Sequence, residues 1–242
     1  MERLTKKERR VLRQQQVLTK ENEINTDKFK INFEPMGELQ YEAYAHWLVG
    51  KNLLLHGYAG TGKTYIALAM AIKDVLENRF KKVVVVRSAV PTRDVGFLPG
   101  TLKQKLEVYE MPYKQITNTL LNRGDGYDIL SKKFMYEFVP TSYIRGTTLD
   151  NCVVIVDEIN NMTFHELDSV ITRLGNNTQL ILCGDHRQSD LQNHREMTGI
   201  KQFMNIVEKL DSFERIEFGI KDIVRSKLVK DYIIEKYEQG IL

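Results

Sequence analysis

Eight consecutive residues, 57–64, have the types and spacing that bind a polyphosphate: they read Gly-Tyr-Ala-Gly-Thr-Gly-Lys-Thr. The glycines let the backbone curl with its N–H groups pointing inward, and a predicted helix after the loop adds its positive N-terminal end. Lys63 can reach the β- and γ-phosphate oxygens, and the hydroxyl of Thr64 can ligate Mg²⁺. The alternative is a Gly-rich turn that happens to contain lysine. The residues predicted to bind the nucleotide are Gly57, Tyr58, Ala59, Gly60, Thr61, Gly62, Lys63, Thr64 and Tyr65.

Two carboxylates, Asp157 and Glu158, directly follow an apolar run at 153–156. In open α/β sheets, ligands bind at the carboxyl ends of the strands, which is where these side chains fall. We predict that Asp157 holds Mg²⁺, directly or through water, and that Glu158 polarises an attacking water. The second carboxylate favours hydrolysis over phosphoryl transfer to a small acceptor. The alternative is that both residues cap the next helix.

A third polar group follows the next apolar strand, where residues 184–188 read Gly-Asp-His-Arg-Gln. Gln188 is the best candidate for a contact with the γ-phosphate or its attacking water, and a surface turn is the alternative. The five histidines of the chain show no metal-ligand spacing, so no zinc site is predicted.

These motifs need a sheet that brings strand ends together, and the apolar pattern predicts one. Buried strands alternate with helices, which is typical of an α/β fold with a mostly parallel sheet and helices on both faces. The predicted strands are 53–55, 82–86, 152–156, 179–183 and, more weakly, 215–218. The predicted helices are 38–49, 64–76, 163–174 and 222–238.

The stretch 88–150 fits this alternation least well. It contains four of the five prolines of the chain and several glycines. We interpret it as an insertion that carries its own short helices, and long insertions in compact domains are usually functional.

Composition excludes several classes of protein. A chain of 242 residues that is 42% hydrophobic and 28% charged is typical of a globular protein rather than a disordered one. The apolar runs are too short to span a bilayer, and the N-terminus lacks the apolar core of a secretory signal. We interpret Cys152 and Cys183 as buried thiols in a reducing cytoplasm.

The net charge of +3 is unevenly distributed. Residues 1–20 contain seven basic and two acidic side chains, so this segment is +5 and the remaining 222 residues are −2. We predict a basic N-terminal arm over 1–30, helical or disordered, and a catalytic domain over 31–242. The arm is a candidate for phosphate contacts with nucleic acid, and a solvated tail is the alternative.

Beyond the phosphate loop, six ordered segments make the chain resemble the PhoH-like P-loop ATPases, which share features with superfamily 1 helicases. The resemblance covers roughly residues 35–240 and implies a RecA-like P-loop core that uses ATP and Mg²⁺. The most diagnostic segment is Gly-Phe-Leu-Pro-Gly at 96–100, and the short single core is similar to phage forms of the family. The others lie at 87–91, 143–149, 156–163, 184–188 and 222–225.

The sequence departs from the family pattern in two places. Ile159-Asn160-Asn161 replaces Ala-Gln-Asn after the second carboxylate, and Asn160 is one methylene shorter than the usual glutamine, which puts its polar contact in doubt. The segment after Gln188 also lacks an expected proline.

The resemblance implies two further roles. Gln40 is similar to a helicase-type glutamine that recognises the adenine edge, and an exposed helical glutamine is the alternative. Arg225 resembles an arginine finger, and an ion pair with Asp222 is the alternative. In an isolated RecA-like core such an arginine often comes from a neighbouring subunit, so we expect a homo-oligomer, with a hexameric ring as one form.

Three functions are consistent with these motifs. The first is an ATPase with a helicase-like core that acts on RNA or single-stranded DNA. The second is a regulatory ATPase that controls a protein partner, and the third, a small-molecule kinase, is disfavoured by Glu158 and Gln188. The candidate nucleic-acid contacts are Arg87, Arg93, Phe97, Tyr143 and Arg145.

Overall fold

The computed structural model describes residues 29–31, 33–88, 102–185 and 194–239, without the side chains of 102–105 and 194–198. The basic arm at 1–20, the segment 96–100, Arg93, Phe97 and Gln188 lie outside the described residues, so the predictions made for them remain predictions.

Six parallel strands form one sheet in the described part of the chain. They are β1 (Asn52–Gly57), β2 (Lys82–Arg87), β3 (Tyr136–Pro140), β4 (Cys152–Val156), β5 (Thr178–Gly184) and β6 (Phe213–Phe218). Their order across the sheet is β3-β2-β4-β5-β1-β6, and every pairing is parallel. The predicted fold, a RecA-like P-loop core with a parallel sheet, is confirmed.

Seven α-helices of the described residues connect and cover these strands. They are α1 (Glu38–Leu48), α2 (Lys63–Leu76), α3 (Leu102–Leu120), α4 (Gly126–Lys132), α5 (Phe164–Ile171), α6 (His194–Val207) and α7 (Lys227–Glu238). None of the helices in this part of the chain has the length and apolar content needed to cross a membrane.

The central strands are buried on both faces because their alternate residues enter two separate cores. Val83 and Val85 of β2 join the core that contains residues of α1, α2, α3 and α4. Val84 and Val86 join the core that contains residues of α5 and α6. Each fully buried valine contributes about 1.5–3 kcal/mol by the hydrophobic effect, so the continuous valine run stabilises both layers.

The sequence did not predict β3, which lies inside the stretch 88–150. This edge strand reads Tyr-Glu-Phe-Val-Pro and is only partly buried, so it lacks a continuous apolar run. The same stretch holds α3, a single helix of 19 residues with Pro112 inside it, where short helices were expected. Both elements belong to the main fold, because β3 pairs with β2 and α3 contributes Tyr113 to the first core.

The C-terminal helix also begins later than predicted. Residues Ile220–Asp222 form a single 3-10 turn, and the carboxylate of Asp222 accepts a hydrogen bond from the backbone N–H of Gly219 at 2.7 Å. The chain then crosses the phosphate loop, where the N–H of Val224 donates to the carbonyl of Gly60 at 3.0 Å. The local cap and the contact with the phosphate loop hold residues 219–224 outside a helix, and α7 begins at Lys227.

A buried polar contact joins α1 to α2. The indole N–H of Trp47 donates to Asp74 Oδ2 at 2.8 Å, and Arg79 pairs with Asp74 Oδ1 at 2.9 Å. We expect Asp74→Ala to lower the free energy of unfolding by about 1–3 kcal/mol, because it leaves a buried indole donor unsatisfied. Urea denaturation monitored by the fluorescence of Trp47, the one tryptophan, measures the change.

The matched control is Glu77→Ala, which removes an exposed ion pair with Lys73 near the end of the same helix. Such a pair contributes about 0.3–0.5 kcal/mol. Equal losses of stability in the two variants would contradict the role given to Asp74.

Candidate nucleotide-binding site

The carboxyl ends of β1, β5 and β4 lie side by side because these three parallel strands are neighbours. Strand β1 leads into the loop 57–62, β4 ends immediately before Asp157, and β5 ends at Gly184. The two predicted halves of the site therefore lie on either side of β5, at the carboxyl ends of the strands, where ligands of α/β proteins bind.

The path of the loop depends on glycine at its two ends. A Cβ atom on Gly57 would lie 2.0 Å from the backbone oxygen of Phe218 in β6, so no side chain fits there. Gly62 has φ of 84° and precedes α2 in the left-handed conformation, which other residues rarely adopt. The loop is thus directed into the N-terminus of α2, where backbone N–H groups can bind an anion.

Lys63, the first residue of α2, folds back over the loop. Its ammonium donates to the carbonyl oxygens of Gly57 and Tyr58, each at 2.7 Å. Burial lowers the pKa of Lys63, and nearby groups including Asp185 and Asp157 oppose that shift. The ammonium is therefore poorly hydrated, which strengthens its interaction with an anionic ligand.

Thr64 and Asp157 meet across the strands. The Thr64 hydroxyl lies 3.1 Å from Asp157 Oδ1 and 3.2 Å from Oδ2, although 93 residues separate them in the chain. A hydroxyl and a carboxylate are oxygen ligands of the type that Mg²⁺ prefers. These two side chains fit the metal that the sequence predicts for them.

Burial dominates the electrostatics of the two carboxylates. It raises the pKa of Asp157, against hydrogen bonds and charge from Tyr113, Arg87 and Thr64. Burial, followed by the charge of Asp157, also raises the pKa of Glu158. The backbone of Glu158 has φ of 56°, an uncommon conformation for a non-glycine residue that is found at functional sites. Both carboxyls are therefore held in positions that cost free energy.

Asn160 joins the turn after β4 to the segment that follows β5. This residue is buried, and its Oδ1 accepts a hydrogen bond from the N–H of Asp185 at 3.1 Å. A Cβ on Gly184 would lie 2.5 Å from Ile159 and 2.9 Å from Asn160 Oδ1, so the close approach requires glycine. The shorter asparagine thus makes a specific contact in this chain.

Gln40 of α1 is buried against the loop rather than exposed. Its Oε1 accepts from the N–H of Met36 at 2.9 Å, and its Nε2 donates to the carbonyl of Thr61 at 3.2 Å. Gln40 also lines a cleft of about 270 Å³, with Leu39, Phe218 and residues 221–224 among the other lining groups. This cleft lies next to the phosphate loop.

Arg225 lies on the phosphate loop of its own chain. A Cβ built on Gly60 would be 2.8 Å from Cγ of Arg225, so the side chain passes directly over that glycine. In the described part of the chain no ion pair joins Arg225 to Asp222, and the Asp222 carboxylate accepts a hydrogen bond from the N–H of Gly219 at 2.7 Å.

The other loop residues have mixed environments. The Thr61 hydroxyl donates to the carbonyl of Tyr58 at 2.9 Å, and the Tyr58 ring packs edge-on against Tyr237 of α7. Tyr65 is partly buried against Phe33, at 6.4 Å between ring centroids, whereas Ala59 is exposed.

The sequence analysis did not select Tyr113 for the site, and it named Arg87 only as a candidate nucleic-acid contact. The Tyr113 hydroxyl, from α3, donates to Asp157 Oδ2 at 2.9 Å. Arg87, which stays a predicted nucleic-acid contact, lies among Tyr113 and the carboxylates of Glu158 and Asp157. Burial opposes its charge, but these three neighbours outweigh burial and raise the pKa of Arg87. The available signal was the spacing of Tyr109 and Tyr113, one helical turn apart.

The other described candidates for nucleic-acid contact lie at the surface. The Tyr143 side chain is 52% exposed, in the 3-10 turn directly after β3. Arg145 is exposed nearby, with its Nη2 at 2.7 Å from His165 Nε2. Both follow the carboxyl end of β3, and the phosphate loop follows the carboxyl end of β1, so all of them lie on the same side of the parallel sheet.

Comparison with known proteins identifies the relatives of this chain. A family model described as PhoH, PhoH-like protein, matches residues 33–238. A PhoH-like protein of Bacillus subtilis (strain 168) is 34% identical over 212 residues, which cover 86% of this chain and 64% of the relative. One from Synechocystis sp. is 34% identical over 185 residues, which cover 76% of this chain and 56% of the relative. The chain thus spans less than two thirds of the length of these relatives.

Among solved structures, the Pif1 helicase from Candida albicans aligns with 77% of this chain and 40% of its own, at 20% identity. The TM-score is 0.36, which is too low to bear on function.

Proposed function

The chain belongs to the PhoH-like family, and from its P-loop core we propose that it binds ATP with Mg²⁺ and hydrolyses it. The observation that carries the proposal is the contact of Thr64 with Asp157, at 3.1 and 3.2 Å. It joins the phosphate loop to the paired carboxylates, so the ligands for a metal and the candidate general base lie beside the loop.

Each residue of the site has a different proposed role in hydrolysis. Thr64 and Asp157 would hold Mg²⁺, which would supply positive charge to the phosphate oxygens when bound. Glu158 accepts a proton from the attacking water as the water oxygen bonds to the γ-phosphorus. The bond from that phosphorus to the β,γ-bridging oxygen breaks, and ADP leaves with phosphate. Lys63 stabilises charge on the β- and γ-phosphates, and Gln188 is proposed to orient the water.

Gln40 is suited to recognising adenine. A glutamine amide has two N–H donors and two acceptor sites, and Gln40 uses one of each for Thr61 and Met36. One donor and one acceptor remain, which is the pair that adenine binds through its N6 amine and N7. The adjoining cleft of about 270 Å³ offers space for the base.

The test of hydrolysis is ATP turnover by the purified chain with Mg²⁺, with excess EDTA, and with Lys63→Ala. We expect phosphate release with Mg²⁺ and its loss in both other conditions, together with weaker nucleotide binding by Lys63→Ala. Turnover that persists in EDTA or in Lys63→Ala would contradict the proposal.

We further propose that ATP hydrolysis is coupled to RNA or single-stranded DNA. The support is the exposed ring of Tyr143 beside Arg145, since a base can stack on an aromatic ring while a guanidinium binds the backbone. Two hydrogen bonds connect this turn to the end of β2. The Thr141 hydroxyl donates to Glu166 at 2.6 Å, and the hydroxyl of Ser88, which follows β2, donates to the same carboxylate at 3.2 Å.

Tyr143→Ala should weaken binding of a single-stranded oligonucleotide about tenfold at low salt, from the loss of one stacking contact. Fluorescence anisotropy of labelled RNA and DNA measures the affinity. The matched control is Phe134→Ala. Phe134 is an exposed aromatic residue just before β3, at the amino end of the strand that Tyr143 follows. Equal effects of the two substitutions, or no binding by the wild type, would count against this coupling.

A second candidate function is a regulatory ATPase that contacts a protein, and α7 favours it. This helix has no buried residue, and Leu228 and Tyr232 are 78% and 64% exposed.

The same surface suits the proposed homo-oligomer, including a hexameric ring. Solution mass measured with and without ATP tests the oligomer. A monomer in both conditions whose turnover does not respond to nucleic acid would favour the protein partner.

A further inference from the structure

Tyr113 is a buried tyrosine of α3 to which the proposed hydrolysis assigns no role. Its side chain is 1% exposed, and its ring packs on Phe138 of β3 with centroids 5.7 Å apart. The packing fixes the direction of the hydroxyl, which donates to Asp157 Oδ2 at 2.9 Å. A helix outside the phosphate loop thus holds the predicted metal ligand.

Arg87 supports the same contact from the end of β2. Its guanidinium interacts electrostatically with Tyr113, Glu158 and Asp157, and it lies 5.8 Å from the centroid of the Tyr109 ring. Tyr109 and Tyr113 are one helical turn apart on the same face of α3. Two aromatic side chains of α3 therefore place the arginine beside the carboxylates.

The hydroxyl of Tyr113 restricts how Asp157 can turn. A carboxylate has about four acceptor positions on its two oxygens. Tyr113 uses one position on Oδ2, and the Thr64 hydroxyl lies within reach of both oxygens. Rotation of the carboxylate would break the Tyr113 bond, so this bond holds both oxygens within reach of the Thr64 hydroxyl, where the predicted metal ligands meet.

We propose that Tyr113 is a positioning residue that orients Asp157 for Mg²⁺ and so sets the metal affinity of the nucleotide site. The inference rests on the proposed function, because it concerns the metal used in ATP binding. Hydrogen bonds to metal-ligating carboxylates orient them, and their loss typically costs 10–100-fold in metal affinity. Because Tyr113 belongs to α3, the metal affinity also depends on where that helix packs.

The test is Tyr113→Phe, which removes one oxygen and keeps the ring on Phe138. A fluorescent ATP analogue is titrated into the protein in EDTA and at a series of Mg²⁺ concentrations. We expect affinity in EDTA to match the wild type, and the Mg²⁺ concentration for half-maximal enhancement of binding to rise about tenfold. A purely structural role would lower both affinities together.

The matched control is Tyr127→Phe. Tyr127 is also buried, and its hydroxyl donates to a carboxylate, Glu110, away from Asp157. We expect a wild-type Mg²⁺ dependence for this variant, and thermal midpoints of both variants confirm that each is folded.

The outcomes separate the inference from the proposed function. If the wild type shows no Mg²⁺-dependent binding of nucleotide, the proposed function fails. If the wild type shows it and Tyr113→Phe has the same Mg²⁺ dependence, the inference alone fails. A loss of binding in EDTA for Tyr113→Phe also overturns it, because the hydroxyl would then act on the whole loop.

Discussion

Glu158→Gln should lower ATP turnover by about 10²–10⁴-fold while nucleotide binding is preserved. Glutamine keeps the size and hydrogen-bonding shape of glutamate but cannot accept the proton of the attacking water. The phosphate loop, Thr64 and Asp157 remain in place, so ground-state binding does not depend on the substitution. Single-turnover phosphate release and equilibrium binding of an ATP analogue measure the two effects separately.

The pH dependence of ATP turnover by the wild type tests the role of Glu158 independently. Burial, with the neighbouring charge of Asp157, raises the pKa of Glu158 above its ordinary value of 4.5. The carboxylate must be ionised to accept a proton, so the rate should fall on acidification with a midpoint above 4.5. Burial also raises the pKa of the adjacent Asp157, and the charge of Asp157 acts on Glu158, so the midpoint belongs to the coupled pair.

Glu137→Gln is the matched control, since Glu137 pairs with Lys82 at 2.6 Å on the edge strand β3 and its side chain is half-exposed. This substitution should leave turnover and its pH dependence unchanged. Wild-type turnover by Glu158→Gln would show that another group accepts the proton.

The fold was predictable where the sequence contains continuous apolar runs. Val83–Val86 enter two cores in alternation, and a strand buried on both faces must be apolar at every position. Strand β3 lies at the sheet edge and is partly solvated, so Glu137 and Pro140 are tolerated there and the apolar signal is lost.

The site was predictable where its residues are contiguous in sequence. The loop at 57–64 and the Asp157–Glu158 pair each carry their chemistry within a few residues, and the sheet brings them together. Tyr113 reaches Asp157 across 44 positions of the chain, and that contact depends on how α3 packs against the sheet. The spacing of Tyr109 and Tyr113 places both rings on one face of a helix, but it does not indicate which group either side chain contacts.

The departure at Asn160 shows how structure resolves an ambiguity in the motif. Its shorter side chain put a polar contact in doubt, yet its Oδ1 accepts from the N–H of Asp185. Gly184 allows this approach, because a side chain there would collide with Ile159 and Asn160. The turn after β4 and the end of β5 are thus joined directly, without the methylene that glutamine would add.

Arg225→Ala should reduce ATP turnover by about 10³-fold, which is the scale of an arginine that stabilises charge on the transferred phosphoryl group. The Arg225 side chain passes over Gly60, and the adjacent N–H of Val224 donates to the Gly60 carbonyl at 3.0 Å. Because the Arg225 side chain is exposed beside the loop, we expect its guanidinium to reach phosphates bound there. Arg225→Lys should recover only part of the rate, because lysine lacks the planar fork of donors.

The same geometry predicts that Arg225 acts within its own subunit. The sequence alone left open a finger supplied by a neighbouring subunit, but the backbone bond from Val224 ties the segment carrying Arg225 to the loop of its own chain. Mixing Arg225→Ala subunits with Lys63→Ala subunits should therefore restore no activity beyond the sum of the two. Lys227→Ala, an exposed cation two residues further on, serves as control and should leave turnover unchanged. Activity recovered on mixing would contradict action in cis, because only an arginine from one subunit combined with an intact loop from another could produce it.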